Sequence, residues 1–296
     1  MYRNDLNTAL RKRYGTKVYK LSLSSGCSCP NRENGGRGCI VCDGAGAFAA
    51  AGDITRQIAA AKERVAAKVG EKAKYIAYFQ SFTNTYGDVE RLEALFGQAM
   101  EGEDIVALSI ATRPDCLGQD VMGMLARLAA KKPLWVELGL QTIHPESAAY
   151  IRRGYDLPIF EEAVGKLRRI GAEVIVHQIL GLPGETVEDM LATTRYISTQ
   201  DVQGVKFHLL HVLRGTDLAA DYAAGTFETM TMEAYIAALE GCVRALRRDI
   251  VIHRLTGDGA KKDLIAPLWS GDKKRVLNAI HKAFSLHDVE QGTSLI

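Results

Sequence analysis

Residues 105–142 read IVALSIATRPDCLGQDVMGMLARLAAKKPLWVELGLQT. An apolar run at 105–110 ends in the polar turn ATRPDCL. A helical pattern follows at 120–130, and a second apolar run at 134–140 ends in QTIHPES. Each apolar run has the length and content of a strand, and the stretch between them has helical period. Strand, helix and strand in that order form the unit from which parallel sheets with right-handed crossovers are built.

The same unit recurs on both sides. Upstream, 17–24 (KVYKLSLS) alternates like a strand, 55–69 is an alanine-rich helical stretch, and 75–79 (YIAYF) is a strand running into the turn QSFTNTY, with helical pattern to Met100. Downstream come helical patterns at 146–153 and 159–170, and a strand at 173–180 (EVIVHQIL) ending in GLPGET. A helix at 187–199 and a strand at 204–213 (GVKFHLLHVL) ending in RGT follow. The polar residues that look like chemistry stand just after each strand, the face on which parallel α/β barrels assemble their sites. No Gly-x-Gly-x-x-Gly or Walker pattern follows the first strand, so a dinucleotide or P-loop fold loses its main support. The expectation is an α/β protein: a partial (β/α)6 barrel of the TIM type, open because six units are too few to close it. Residues 1–230 form that barrel. Residues 231–296, with a helix at 232–248, a strand at 250–255, a loop holding Gly257, Gly259 and Pro267, and a helix at 273–284, form a small α/β extension that caps it.

Composition fits this picture. The chain has 296 residues, 47% hydrophobic and 24% charged, which is the average of a globular protein and not of a disordered one. Lys plus Arg number 37 against 35 Asp plus Glu, so net charge by itself announces no polyanion partner. No apolar run approaches the roughly 18 residues of a membrane span. The start, MYRNDLNTALRKRYG, lacks the apolar stretch of a secretory signal. A cytoplasmic protein is expected, with its six cysteines reduced and any that cluster serving a metal or catalysis.

Four of them cluster in residues 26–42, GCSCPNRENGGRGCIVC, as Cys27, Cys29, Cys39 and Cys42; Cys116 and Cys242 stand alone. Cys39-x-x-Cys42 brings two thiolates to one centre, and the loop before it is rich in glycine (Gly35, Gly36, Gly38) and bears Pro30. Spacing leaves two readings open. Four thiolates could hold zinc, or three could hold a [4Fe-4S] cluster with one iron free. The single residue between Cys27 and Cys29 is a poor chelating step for one ion, which favours three ligands: Cys39, Cys42 and one of the first pair.

These motifs together resemble the radical SAM enzymes, in the YhcC/YtqA-like branch, related to oxygen-independent coproporphyrinogen oxidases and the Elongator catalytic subunit. The segments carrying the resemblance run through nearly the whole chain: KVYKLSLSSGCSCPNR, GGRGCIVC, YFQSFTNTY, IATRPDCL, ELGLQT, RRGYD, QILGLPGET, HLLHVLRGT, VIHRLTGDG and LIAPLW. The resemblance implies that Cys29, before Pro-Asn-Arg, joins Cys39 and Cys42 as cluster ligands, leaving Cys27 as an extra thiol where relatives tend to carry an aromatic. It implies S-adenosylmethionine (SAM) on the open iron and reductive cleavage of its sulfonium to a 5′-deoxyadenosyl radical. By the same resemblance, Ser81, Phe82 and Thr83 meet the methionine end of SAM, although relatives often have glycines there. Gln141 meets the ribose, Arg153 the carboxylate region, and His177, Ile179 and Gly181 the adenosine; His177 stands where relatives often have an acid. Cys116, His208, His211 and His253 are the candidates for substrate chemistry, with Thr112 and Arg113 near the same mouth. An external electron donor of flavodoxin or ferredoxin type is implied. So is a substrate: tRNA, with loss of the carboxymethyl group from wobble 5-carboxymethylaminomethyluridine. Lys261, Lys262, Lys273, Lys274 and Arg275 are available for its phosphates. A radical reaction on a tetrapyrrole and a non-enzymatic zinc-binding module are the alternatives.

Overall fold

The computed structural model describes residues 4–33, 36–42, 52–70, 72–257, 259 and 261–294. Gly35, named above in the cysteine loop, lies outside them. The strands are β1 (Val18–Leu23), β2 (Lys74–Phe79), β3 (Ile105–Thr112), β4 (Leu134–Gln141), β5 (Glu173–Leu180), β6 (Gly204–Leu209), β7 (Val212–Leu213), β8 (Val251–Arg254) and β9 (Leu264–Ala266). The helices are α1 (Leu6–Tyr14), α2 (Ile54–Val65), α3 (Val89–Ala99), α4 (Gln119–Ala129), α5 (Pro145–Tyr150), α6 (Leu157–Arg169), α7 (Val187–Thr199), α8 (Asp217–Ala223), α9 (Met232–Ala245) and α10 (Lys273–Leu286).

Seven strands form one sheet in the order β1-β2-β3-β4-β5-β6-β8, every neighbour parallel. The sheet curls into a half-barrel, and its side chains show the curl directly. On a flat sheet β1 and β6 would stand about 24 Å apart at the usual strand spacing. Here Lys20 of β1 and Lys206 of β6 both reach the carboxylate of Glu137 on β4.

Alternation along each strand separates two environments. Outward residues such as Leu21, Phe79, Leu108, Val136, Val176 and Phe207 are buried against the helices in the main apolar core. Inward residues at the strand starts, Val18, Ile76, Ala107, Trp135 and Ile175, pack on Leu10 of α1, which plugs that end of the half-barrel. The chain just before α1 also closes onto the far edge, where Ile252 N of β8 donates to Asn4 O at 2.7 Å. Helix starts carry side-chain caps at Asp53, Asp88, Thr231 and Asp272, and the GET turn becomes a capping box between Thr186 and Asp189.

Three expectations are corrected. The sheet has a seventh strand, because β8 from the segment assigned to the extension pairs with β6. The run 204–213 is not one strand. It breaks after Leu209, and β7 leaves the sheet to pair antiparallel with β9. The helix expected at 146–153 stops at Tyr150, so Arg152 and Arg153 lie in the turn beyond it rather than on a helix face.

Candidate active site

The strand ends and the cysteine loop enclose a cavity of about 280 Å³. The loop supplies Cys29, Cys39 and Cys42 to its wall. Cys29 precedes a 3-10 turn at Pro30–Arg32, with Arg32 N donating to Cys29 O at 2.8 Å. The chain folds back where Gly38 N meets Asn31 O at 2.8 Å, and a tight turn joins Cys42 N to Cys39 O at 3.0 Å. Two backbone bonds dock the loop on the barrel: Thr83 N to Ser28 O at 3.2 Å and Ile40 N to Ile151 O at 3.3 Å. Burial pushes the Cys39 thiol up, and the nearby Cys29 and Cys42 push the same way, while the Asn31 amide opposes them. Three thiols crowded in this way suit a cationic iron body that neutralises them.

Cys27 is not part of the set. It is buried in the apolar core, its Sγ 3.5 Å from Arg91 Nη2 and 4.0 Å from Asn84 O. Cys27 thus faces the core while Cys29, Cys39 and Cys42 face the cavity.

The opposite wall comes from the strand ends. Phe82, Thr83, Gln141, Arg153, His177, Ile179 and His208 all line it. Backbone strain gathers here. Among the described residues four non-glycines have positive φ, and two of them line this cavity, Phe82 (61°) and Gln141 (68°), while Arg152 (56°) stands beside the lining residues Ile151 and Arg153 in sequence. Gln141 folds back over Gly139, where a Cβ would sit 2.8 Å from its Nε2. Arg153 is 5% exposed, and its Nε and Nη1 donate to the carbonyls of Tyr155, Leu140 and Thr142 at 2.9, 3.2 and 2.7 Å. It pairs with no carboxylate among the described residues.

Five expected residues stand elsewhere. Ser81 and Gly181 do not line the cavity; a Cβ on Gly181 would lie 2.9 Å from Met230 Sδ. Cys116 borders a neighbouring groove with Ser28, Glu33 and Tyr86, its thiol pushed up to about 12 by burial and then by Asp115. His211 lies past the break in the strand, packed where Gly257 and Gly259 leave it room. His253 is beneath the cavity against Trp135, ring centroids 5.2 Å apart.

Under the cavity lies a polar layer that sequence reading missed. Glu137, with no side-chain exposure, takes Lys20 Nζ and Ser109 Oγ on Oε1, each at 2.9 Å. Its Oε2 takes Tyr78 OH at 3.0 Å, His177 Nε2 at 2.9 Å and Lys206 Nζ. Burial alone would raise the carboxyl; Lys20, Lys206 and His177 outweigh it and hold Glu137 well below the usual carboxylate range. Burial brings Lys206 down to about 7 and His177 to about 4, each against the pull of Glu137. His177 is therefore neutral, with Nε2–H toward Glu137, and its ring is tilted against that of His208, centroids 4.9 Å apart. The inward alternation of β4 could have pointed to Glu137, since a strand otherwise apolar holds one acid.

Comparison with known proteins agrees with the cavity. Residues 27–197, more than half the chain, match the radical SAM superfamily, and residues 202–285 match its C-terminal domain. YtqA of Bacillus subtilis is 40% identical over 98% of this chain and 91% of its own length. YhcC of Escherichia coli is 34% identical over 97% and 93%. The archaeal Methanocaldococcus infernus Elp3 shares the fold with a TM-score of 0.72 at 18% identity, over 93% of this chain and 64% of that one. The chain belongs to the radical SAM superfamily, and it is an enzyme whose cofactors are a [4Fe-4S] cluster and SAM.

Proposed function

We propose that this enzyme acts in the cytoplasm on the wobble uridine of tRNA, removing the carboxymethyl group of a carboxymethylaminomethyl side chain to leave the aminomethyl form. The observation that carries the reading is the charge of the cavity wall. Arg32, Arg113 and Arg153 line it against Glu137 alone, and Glu137 is already held by Lys20 and Lys206. Asp115 answers only Arg113. Such a wall suits carboxylates, that of SAM at Arg153 and one on the substrate. A partial likeness adds support: a tRNA uridine(34) acetyltransferase of Methanocaldococcus jannaschii is 31% identical over 44% of this chain and 24% of its own length.

In this reading Cys29, Cys39 and Cys42 hold the cluster. When bound, cluster and SAM supply a 5′-deoxyadenosyl radical that takes a hydrogen atom from the substrate. Arg153 offers Nη2 to the SAM carboxylate, its other nitrogens being fixed on carbonyls. With SAM bound, Phe82 and Thr83 would border its methionine end, Gln141 would meet the ribose, and His177 and Ile179 would meet the adenosine. Of the histidines and the cysteine proposed for substrate chemistry, His208 lines the cavity. Residues 1–230 carry this chemistry, 231–296 add β8 to the same sheet and cover the barrel with the rest, and Lys261, Lys262, Lys273, Lys274 and Arg275 meet phosphates. Radical SAM enzymes draw on an external electron donor, here of flavodoxin or ferredoxin type. Among the described residues no helix is long and apolar enough to cross a membrane.

The test is anaerobic reconstitution, then dithionite, SAM and tRNA bearing the carboxymethylaminomethyl side chain, with nucleosides and 5′-deoxyadenosine followed by mass spectrometry. Conversion to the aminomethyl nucleoside is expected. Steady 5′-deoxyadenosine release with the tRNA unchanged would leave the radical chemistry and remove the substrate.

A further inference from the structure

The loop that carries the three thiols also carries donors aimed at two of them. Asn31 Nδ2 donates to Cys39 Sγ at 3.3 Å and to Arg152 O at 2.7 Å. Arg32 Nη2 donates to Cys42 Sγ at 3.1 Å and to Cys42 O at 2.8 Å. Among the described residues no hydrogen bond reaches Cys29 Sγ. Both donors are fixed from behind. The turn at Pro30–Arg32 sets their backbone. Gly38, at φ 81°, leaves space for the Arg32 guanidinium where a Cβ would lie 3.1 Å from its Nε. The Phe82 ring lies 5.9 Å from Arg32 Cζ on the cavity side.

We propose that Asn31 and Arg32 are positioning residues that raise the reduction potential of the cluster by holding hydrogen bonds on two of its three thiolates. The physical reason is charge. A cysteine sulfur on an iron–sulfur cluster carries part of its negative charge, and a donor draws that charge toward itself, so adding an electron costs less. Arg32 brings a full positive charge with its hydrogen bond, so its share exceeds that of the neutral Asn31 amide. The bonds are also unequal around the cluster, with Cys39 and Cys42 supported and Cys29 bare, so the effect is assigned to named sulfurs. None of this depends on what the substrate is.

The experiment needs no tRNA, which keeps it separate from the substrate reading. Wild type, Arg32→Met, Arg32→Lys and Asn31→Leu are reconstituted anaerobically, checked for iron and sulfide, and titrated potentiometrically with the reduced cluster read by electron paramagnetic resonance. At the wild-type midpoint, Arg32→Met is expected to lower the ratio of reduced to oxidised cluster about tenfold, which is about 59 mV for one electron. Asn31→Leu should lower it roughly threefold and Arg32→Lys by an amount between the two, since the lysine keeps the charge and loses the planar fork. A loaded Arg32→Met cluster that titrates with the wild type, or at a higher potential, overturns the proposal. If Arg32→Met holds no iron, Arg32→Lys and Arg32→Gln decide. A lowered ratio in either supports the assignment, and wild-type potentials in both overturn it.

Discussion

The cysteine loop and the polar layer beneath the cavity solve the same problem in opposite ways. Both gather ionisable groups at one place, the loop half-buried thiols and the layer a buried carboxylate with its donors. The loop does so over 14 residues, Cys29 to Cys42, with turns that close on themselves and donors that sit beside the thiols they serve. The layer does so with single residues taken from six strands: Lys20, Tyr78, Ser109, Glu137, His177 and Lys206. A local device can be damaged one ligand at a time. A distributed one fails as a whole, because each member answers to the same carboxylate.

The sharpest way to test the locality of the loop is within its first pair of cysteines. Cys29→Ala should abolish iron binding, whereas Cys27→Ala, whose thiol faces the apolar core, should keep it; iron and sulfide assays on both decide, and the reverse pattern would move the ligand to Cys27. For the layer, Glu137→Gln should destabilise the fold by about 3–5 kcal/mol, because Lys20 and Lys206 lose the charge that compensates them. Urea midpoints measure this, and the added pair Lys20→Met and Lys206→Met should recover part of the loss. A Glu137→Gln protein as stable as wild type would mean the layer is not a single unit. Between the two regions stands Gln141. Gly139→Ala should push its amide aside and weaken SAM binding roughly tenfold or more at unchanged iron content, read by equilibrium dialysis.

The smallest effect is a pH slope. Burial holds His177 at about 4 and keeps His208 and His253 well below their usual value. The unfolded chain therefore binds more protons than the folded one below pH ~6.5. Stability should fall as pH drops from there toward about 4 for His177, by up to ~1.4 kcal/mol per pH unit for each such histidine. His253→Leu should flatten the slope by about one proton, and urea midpoints at a series of pH values check it.

Legibility in the sequence follows the same division. The loop could be read in part because its signal is contiguous: Cys-x-x-Cys pairs two thiols by spacing, while the choice of Cys29, before Pro-Asn-Arg, came from the family likeness. The outward strand faces could be read because period-two apolar runs need no partner to be recognised. The cavity wall followed from strand ends and family likeness, through Gln141, Arg153 and His177. What escaped was whatever depends on curvature. Lys20 and Lys206 are 186 positions apart and look like ordinary strand lysines, and only the curl of the sheet brings them to one oxygen pair. His211 misled because the strand pattern 204–213 runs on through a break that tertiary pairing with β9 imposes.

The Glu137 carboxylate also has a consequence for assembly. In a parallel sheet a slip of one residue turns a strand's whole set of side chains to the other face. Were β1, β2, β3, β5 or β6 to pair one residue out, its contribution to the layer would point at the helices and the carboxylate would lose a donor inside the barrel. A single anion thus serves as a gauge of alignment for six strands, adding its own penalty to the one that apolar packing already sets against a misregistered sheet.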